Sequence, residues 1–420
     1  MDKFVINGGR TLNGSVAISG AKNATLALMP ATILAGGISR LSNTPALRDV
    51  TTMSALLRTM GIDIEMREHT LTLDTRGIDK FEAPYEHVKK MRASIYVLGP
   101  LVARFGQAKV SLPGGCAWGP RPVNLHIEAI RKLGAEVDLQ EGYIVARASH
   151  LEGARIHFDV SSVGATGNAL MASVLARGTT VIDNAAIEPE ITQLAEYLVA
   201  MGARIAGLGT NRLEVEGVRE LHAADATTIP DRIEAGTFLV AGALCGGTIT
   251  LTGAQAGHLT AIIAKLEDAG SEISATSDTV TIKAPRKLRS VDVTASIYPG
   301  FPTDMQAQWT ALMAVAEGAS VVTDSIYFDR FKHIPELLRL GADIDVKDNA
   351  AFVRGVRSLT GAKVMSTDLR ASASLILAGL IARGTTEVLR VYHLDRGYES
   401  IEKKLRALGA DIKRVTGEEF

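Results

Sequence analysis

The chain has 420 residues, more than a single hydrophobic core usually holds, so we expect two domains. Its 46% apolar and 22% charged residues are typical of a globular protein, and a net charge of −1 argues against wholesale binding to nucleic acid or to an anionic membrane. The sequence predicts neither a signal peptide nor a bilayer-spanning segment, and only two cysteines favour a reducing cytoplasm over a disulfide framework.

One short pattern, in which a glycine ends an amphipathic segment, recurs six times along the chain. The six glycines are Gly61, Gly134, Gly202, Gly270, Gly341 and Gly409. Their successive residue numbers differ by 73, 68, 68, 71 and 68. This regular spacing indicates six copies of a module of roughly 70 residues.

Each copy also contains a segment that is apolar on nearly all sides and ends at a glycine. These segments are Ala24–Ala35, Ala93–Phe105, Ala169–Arg177, Thr237–Cys245, Met305–Glu317 and Ser372–Arg383. Such a pattern predicts a buried helix, whereas segments with charges on one face, such as Tyr398–Leu408, predict surface helices. Short alternating runs such as Thr279–Lys283 predict strands.

Three modules closing around their buried helices would form one domain. The sequence therefore predicts a first domain over residues 20–229 and a second over residues 230–420, completed by an N-terminal strand segment at residues 1–19.

The residues at the starts of the predicted buried helices are polar. They are Lys22, Asn23, Arg92, Thr166, Asn168, Asp231, Arg232, Glu234, Asp304, Asp368 and Arg370. The predicted outer helices add Asp49, Arg121, Glu188, Glu190, His258, Arg330 and Arg396. Helix capping accounts for part of the acidic and amide residues, but cations at a helix start oppose the helix dipole. Any one arginine alone could be a solvated surface residue, but their repetition favours a ligand with several negative charges.

The segment from Leu112 to Pro122 contains Cys116 among glycines and prolines, which exclude a helix or a central strand. The nearby Arg121 favours the thiolate form, so we expect a loop that presents a reactive thiol, as a lid over bound substrate. The nine histidines have no metal-ligand spacing, and we expect His126, His258 and His333 on helix surfaces.

Five segments resemble signature segments of the UDP-N-acetylglucosamine enolpyruvyl transferase family, which is EPSP synthase-like. They are Ile18–Ala24, Leu112–Pro122, Tyr298–Gln306, Phe328–Phe331 and His393–Tyr398. The resemblance covers essentially the whole chain. It implies an α/β fold of two inside-out barrel domains, each with three repeated modules and buried central helices, that close over a cleft.

The resemblance also implies a reaction. The enolpyruvyl group of phosphoenolpyruvate would pass to the 3-hydroxyl of UDP-N-acetylglucosamine with release of phosphate, the first committed step of peptidoglycan synthesis. The substrates are small molecules, and neither a cofactor, a metal, a nucleic acid nor a membrane is implied. The oligomeric state stays open.

The family resemblance assigns roles by position. Cys116 would assist protonation of phosphoenolpyruvate and react with fosfomycin, and Asp304 would contact the sugar 3-hydroxyl as a base, with Lys22 and Arg396 also catalytic. The residues implied to hold phosphoenolpyruvate are Lys22, Arg121, Arg330, Arg370 and Arg396. Those implied to contact UDP-N-acetylglucosamine are Asn23, Arg92, Arg121, Pro122, Asn124, Ser162, Val163, Gly164, Asp304 and Ile326. The chain departs from common family patterns at Trp118, Asn124 and Val160.

Three other functions fit the sequence less well. Enolpyruvylshikimate-phosphate synthase shares the fold but normally has Gly-Ser-Lys-Ser where this chain has residues Gly20–Asn23. A non-catalytic sugar-nucleotide sensor would not need Lys22, Cys116, Asp304 and Arg396 together. Nucleic-acid processing fits poorly with the neutral net charge and the 5% aromatic content.

Overall fold

The computed structural model describes residues 2–89, 91–112 and 123–416. The chain divides into two units: the first comprises Gly20–Ile229, and the second comprises Met1–Ser19 with Pro230–Phe420. Each unit has its own apolar core. Cys116, Trp118, Arg121 and Pro122 lie outside the described residues.

Three four-stranded sheets form the outside of the first unit. Their strands are β3 (Ile38–Ser42), β4 (Asp63–Arg67), β5 (Thr70–Asp74), β6 (Glu82–Ala83), β7 (Gln107–Ser111), β8 (Glu136–Gln140), β9 (Tyr143–Arg147), β10 (Arg155–His157), β11 (Thr179–Asp183), β12 (Arg204–Ala206), β13 (Arg212–Glu216) and β14 (Ala226–Thr227). The strand orders are β14-β3-β5-β4, β6-β7-β9-β8 and β10-β11-β13-β12.

The second unit repeats this arrangement. Its strands are β1 (Asp2–Asn7), β2 (Gly14–Ala17), β15 (Thr248–Thr252), β16 (Glu272–Ala275), β17 (Thr279–Lys283), β18 (Val293–Ala295), β19 (Ala319–Asp324), β20 (Asp343–Lys347), β21 (Ala350–Arg354), β22 (Lys363–Met365), β23 (Thr385–Leu389) and β24 (Asp411–Thr416). The strand orders are β2-β15-β17-β16, β18-β19-β21-β20 and β22-β23-β1-β24.

All six sheets share one pairing pattern. The first two strands in each order are parallel, and the remaining neighbours are antiparallel. β1 lies between β23 and β24, where Phe4 pairs with Val388 and Arg414. Phe4 and Ile6 are fully buried, so the start of the chain is part of the core of the second unit.

The helices alternate between buried and peripheral positions. In the first unit they are α1 (Lys22–Ala31), α2 (Arg48–Thr59), α3 (Tyr85–Val88), α4 (Leu98–Phe105), α5 (Asn124–Lys132), α6 (Val163–Ser173) and α7 (Pro189–Ala200). In the second unit they are α8 (Arg232–Cys245), α9 (Thr260–Asp268), α10 (Gln306–Met313), α11 (Ile334–Arg339), α12 (Leu369–Ile381) and α13 (Ile401–Ala407). The 3-10 helices are Thr32–Leu34, Arg92–Val97, Ala256–His258, Thr303–Met305 and Val391–Arg396.

Burial confirms that the apolar segments form central helices. Every residue of α10 is buried, as are Ile233–Ala243 in α8 and Leu369–Leu380 in α12. These three helices contact one another, and α4 packs against α6 in the first unit. Among the described residues, no helix combines the length and apolar character that crossing a bilayer requires.

The repeat glycines share one backbone conformation. All six have φ between 90° and 106°, which residues with a side chain rarely adopt. Each sits at the turn between an outer helix and the strand that follows it. This turn explains why glycine marks the repeat in the sequence.

Gly341→Ala tests this explanation without a packing effect. Among the described residues, a methyl group at Gly341 would meet no atom within 4 Å, so only its φ of 90° opposes the change. We expect the free energy of unfolding to fall by about 1–2 kcal/mol, measured by urea denaturation. The matched control is Gly257→Ala, where there is equally open space and no positive φ, and where we expect no loss of stability and a gain of up to about 1 kcal/mol. Equal effects of the two substitutions would contradict the explanation.

Candidate active site

The second unit contains a carboxylate held between two buried arginines. Oδ1 of Asp304 accepts a hydrogen bond from Nη2 of Arg330, and Oδ2 accepts one from Nη2 of Arg370, both at 2.7 Å. Arg330 is 7% exposed and Arg370 is 4% exposed, whereas the Asp304 side chain is 27% exposed. The carboxylate thus lies at the accessible side of the cluster, and the three groups together carry one net positive charge.

A hydrogen-bond chain fixes Arg330. Its Nη1 donates to Oγ1 of Thr303 at 2.8 Å, and that hydroxyl donates to Oδ2 of Asp324 at 2.6 Å. Asp324 is fully buried at the end of β19, and its Oδ1 accepts the backbone N–H groups of Ile326 and Tyr327, both at 2.9 Å. Asp324 therefore links Arg330 to the backbone turn that carries Ile326.

A second chain fixes Arg370, which lies in the first turn of α12. Its Nη1 donates to the hydroxyl of Tyr398 at 3.2 Å. Burial would lower the pKa of Arg370, but attraction by the Asp304 carboxylate, together with Tyr398 and Asp231, raises it above its ordinary value. Arg370 is therefore a permanently charged, buried cation.

Lys22 also has a carboxylate partner. It is the first residue of α1, and its Nζ lies 3.5 Å from Oδ2 of Asp49, the second residue of α2. Asn23 follows it and is half-buried. Arg330 was predicted at a helix start but lies in the loop before α11, whereas Lys22 and Arg370 do lie in first turns. All three have counter-ions within the protein, so an external anion is not the sole explanation for these cations.

The start of α6 carries the predicted diphosphate contacts. Ser162 is its N-cap, with Oγ accepting the N–H of Ala165 at 3.3 Å. Beneath this turn, a methyl group on Gly164 would come within 2.9 Å of the His126 ring, so glycine is needed there. Nδ1 of His126 lies 2.8 Å from Nδ2 of Asn168.

His126 and His333 were predicted on helix surfaces, and that prediction is wrong. They are 7% and 1% exposed. Burial and the charge of Arg92 lower the pKa of His126 to about 4, and burial and the charge of Arg330 lower that of His333 to about 3. Both rings are therefore neutral at physiological pH.

The remaining predicted residues lie at the ends of other helical segments. Asn124 is the exposed first residue of α5, and Arg92 begins the 3-10 helix that precedes α4. Arg396 is half-buried at the end of the 3-10 helix Val391–Arg396, next to Asp395, which pairs with Arg414 on β24. The assignments to Cys116, Arg121 and Pro122 fall outside the described residues.

Sequence reasoning assigned no role to several residues that shape the site. They are Thr303, Asp324, Thr237, Gln308 and Tyr398. Thr303 and Tyr398 lie inside segments that carry the family resemblance, which was the available signal. In the part of the chain that the structure describes, no three His, Cys, Asp or Glu side chains come together as a metal site.

Comparison with known proteins agrees with this architecture. Residues 6–405 match the family model described as EPSP synthase (3-phosphoshikimate 1-carboxyvinyltransferase). The chain is 60% identical to the UDP-N-acetylglucosamine 1-carboxyvinyltransferase of Chloroherpeton thalassium, with 100% of this chain and 99% of the relative covered. The chain belongs to this family of enolpyruvyl transferases. The protein of the same name from Chlorobium limicola is 57% identical over the full length of both chains.

Solved structures show the same family fold. The enolpyruvyl transferase NikO from Streptomyces tendae is 28% identical, with a TM-score of 0.90 and 99% of each chain covered. EPSP synthase from Acinetobacter baumannii is 20% identical, with a TM-score of 0.75 over 99% of this chain and 100% of that one. The latter likeness concerns the fold alone.

The neutral buried histidines predict a pH dependence of stability. Because the pKa of His333 is lowered in the folded state, the unfolded state binds more protons, and stability is lost as pH falls below about 6.5 towards the folded value. His333→Gln should reduce the slope of unfolding free energy against pH by up to about 1.4 kcal/mol per unit. Urea denaturation between pH 6.5 and 4 measures this slope.

The control for this experiment is His157→Gln, because His157 is an exposed histidine. Its slope should match that of the wild type. If the slopes of His333→Gln and the wild type coincide, His333 does not stay neutral in the folded protein.

Proposed function

We propose that the chain transfers the enolpyruvyl group of phosphoenolpyruvate to the 3-hydroxyl of UDP-N-acetylglucosamine and releases phosphate, the first committed step of peptidoglycan synthesis. The observation that carries this proposal is the Asp304 carboxylate between Arg330 and Arg370. The full-length identity of 60% with a protein named for this reaction supports it.

Asp304 suits the role of base toward the sugar hydroxyl. Hydrogen bonds from Arg330 and Arg370 orient its two oxygens, and the side chain is 27% exposed. It can therefore accept a hydrogen bond from the 3-hydroxyl and take its proton as the oxygen attacks C2 of phosphoenolpyruvate.

The cations serve the anionic groups of phosphoenolpyruvate. Planar guanidinium groups bind carboxylate and phosphate bidentately, and buried ones are held ready without reorganisation. We assign this role to Lys22, Arg121, Arg330, Arg370 and Arg396. As phosphate leaves C2, these charges stabilise the negative charge that develops on it.

A further set of residues is assigned to the sugar nucleotide. The N–H groups at the start of α6, at Ser162, Val163 and Gly164, suit its diphosphate together with Arg92. The N–H of Ile326 donates to Asp324, so we assign its carbonyl to the amino sugar. The further contacts proposed are those of Asn23, Arg121, Pro122 and Asn124.

We assign to Cys116 the transfer of a proton to phosphoenolpyruvate. When the 3-hydroxyl oxygen bonds to C2, the methylene carbon of phosphoenolpyruvate gains a proton, which the Cys116 thiol would supply. Loss of phosphate from C2 and of a proton from the new methyl group then restores the double bond in the product.

A coupled phosphate-release assay tests the reaction. We expect release only when phosphoenolpyruvate and UDP-N-acetylglucosamine are both present, and a loss of at least a hundredfold in Asp304→Ala, since removing a group that stabilises or deprotonates a transition state commonly costs 10²–10⁴-fold. Shikimate 3-phosphate is the control acceptor, because the matching family model carries the name of that activity. Equal release with shikimate 3-phosphate would overturn the proposal.

Fosfomycin, an epoxide, tests the reactive thiol. Burial raises the pKa of the Cys245 thiol to about 12, so this cysteine stays protonated and unreactive at neutral pH. Peptide mass spectrometry should find the adduct on Cys116 alone, and Cys116→Ser should abolish it. An adduct confined to Cys245 would refute the assignment.

A further inference from the structure

The proposed function assigns no role to the hydroxyl of Tyr398. This hydroxyl nevertheless contacts Arg370, the buried cation that pairs with Asp304. We propose that Tyr398 is a positioning residue, whose hydroxyl, fixed by Thr237 and Gln308, holds the Arg370 guanidinium in the orientation that pairs it with Asp304. The inference rests on the proposed function for the reaction that it affects.

Three polar groups surround this hydroxyl. Tyr398 is 2% exposed and follows the 3-10 helix Val391–Arg396. Its oxygen lies 2.8 Å from Oγ1 of Thr237 on α8, and 3.2 Å from both Nη1 of Arg370 on α12 and Nε2 of Gln308 on α10. One hydroxyl therefore joins all three central helices of the second unit.

The direction of each hydrogen bond follows from the donors available. The hydroxyl of Thr237 donates to the carbonyl of Ile233 at 2.8 Å, so its oxygen accepts from Tyr398. The lone pairs of Tyr398 are then left for Arg370, which can only donate, and for the amide of Gln308. This assigns the hydroxyl protons of Thr237 and Tyr398.

Gln308 connects the same network to the reacting carboxylate. Its Nε2 also lies 3.0 Å from the backbone carbonyl of Asp304 and 3.2 Å from Oγ1 of Thr237. Each of these oxygen atoms can accept a hydrogen bond. This supports placing the amide nitrogen of Gln308, and not its amide oxygen, next to them. The network thus contacts Asp304 in two places. Gln308 contacts the backbone of Asp304, and Arg370 contacts its side chain.

Holding one nitrogen of an arginine orients the other. The guanidinium is planar and rigid, so the bond from Nη1 to Tyr398 sets the direction in which Nη2 meets Oδ2 of Asp304. Cζ of Arg370 lies 5.5 Å from the centroid of the Tyr398 ring, which adds a contact with the ring itself. Burial raises the pKa of Tyr398, so the hydroxyl keeps its proton.

A buried tyrosine hydroxyl can also act only in folding, and the chain offers a matched control for that role. Tyr197 on α7 is likewise 2% exposed, and its hydroxyl donates to the carbonyl of Ala224 at 3.1 Å. It belongs to the first unit, and Ala224 has no role in the proposed site. Tyr197→Phe therefore removes a buried hydrogen bond with no expected effect on turnover.

The test compares Tyr398→Phe with Tyr197→Phe by steady-state phosphate release and thermal unfolding. Both variants should unfold a few degrees below the wild type. Tyr398→Phe alone should lose about tenfold or more in kcat/KM for phosphoenolpyruvate, as expected for a lost hydrogen bond to a charged group, with the KM for UDP-N-acetylglucosamine within about twofold. Thr237→Val should lower kcat/KM as well, and the double variant should lose no more than about the larger single loss, because both act through one chain.

Kinetics of Tyr398→Phe that match those of Tyr197→Phe would overturn the inference, as would additive losses in the double variant. In both cases the wild-type protein still releases phosphate, so the proposed function would stand. A wild-type protein that releases none would instead overturn the proposed function, and this inference with it.

Discussion

The cluster of Asp304, Arg330 and Arg370 depends on one constraint. Helices that are apolar on every side have to be surrounded by other parts of the protein. α8, α10 and α12 contact one another and the strands of three sheets, so their charged residues lie near the helix ends. Arg370 lies in the first turn of α12, Asp304 lies in the 3-10 helix Thr303–Met305 that leads into α10, and Thr237 lies in the second turn of α8. Burial of the helices therefore brings their polar starts together at one place in the second unit.

The cost of burying charge explains how that cluster is built. An arginine taken from water needs both a counter-charge and partners for its other donors. Asp304 supplies the counter-charge to two arginines, while Thr303 with Asp324, and Tyr398 with its partners, engage further donors. A network satisfied in this way is rigid, and this rigidity keeps the cations oriented before any substrate is present.

The first unit repeats the sheet pattern with different chemistry at its helix starts. There Lys22 pairs with Asp49, and neutral His126 lies beneath the turn at Gly164. The same backbone plan thus carries a carboxylate between two arginines in one unit and a capped helix start above a neutral histidine in the other. The fold supplies positions, and the residues at those positions decide the chemistry.

Periodicity alone predicted the α/β fold of six modules with buried central helices, because an apolar helix and a left-handed glycine leave a local pattern at every repeat. The sequence also showed that the helix starts are polar. It could not show that Asp304 pairs with Arg330 and Arg370, which lie 26 and 66 positions away, or that His126 is buried. Local pattern determines which element forms, whereas contacts between distant residues depend on how the modules pack, and only the tertiary structure decides that.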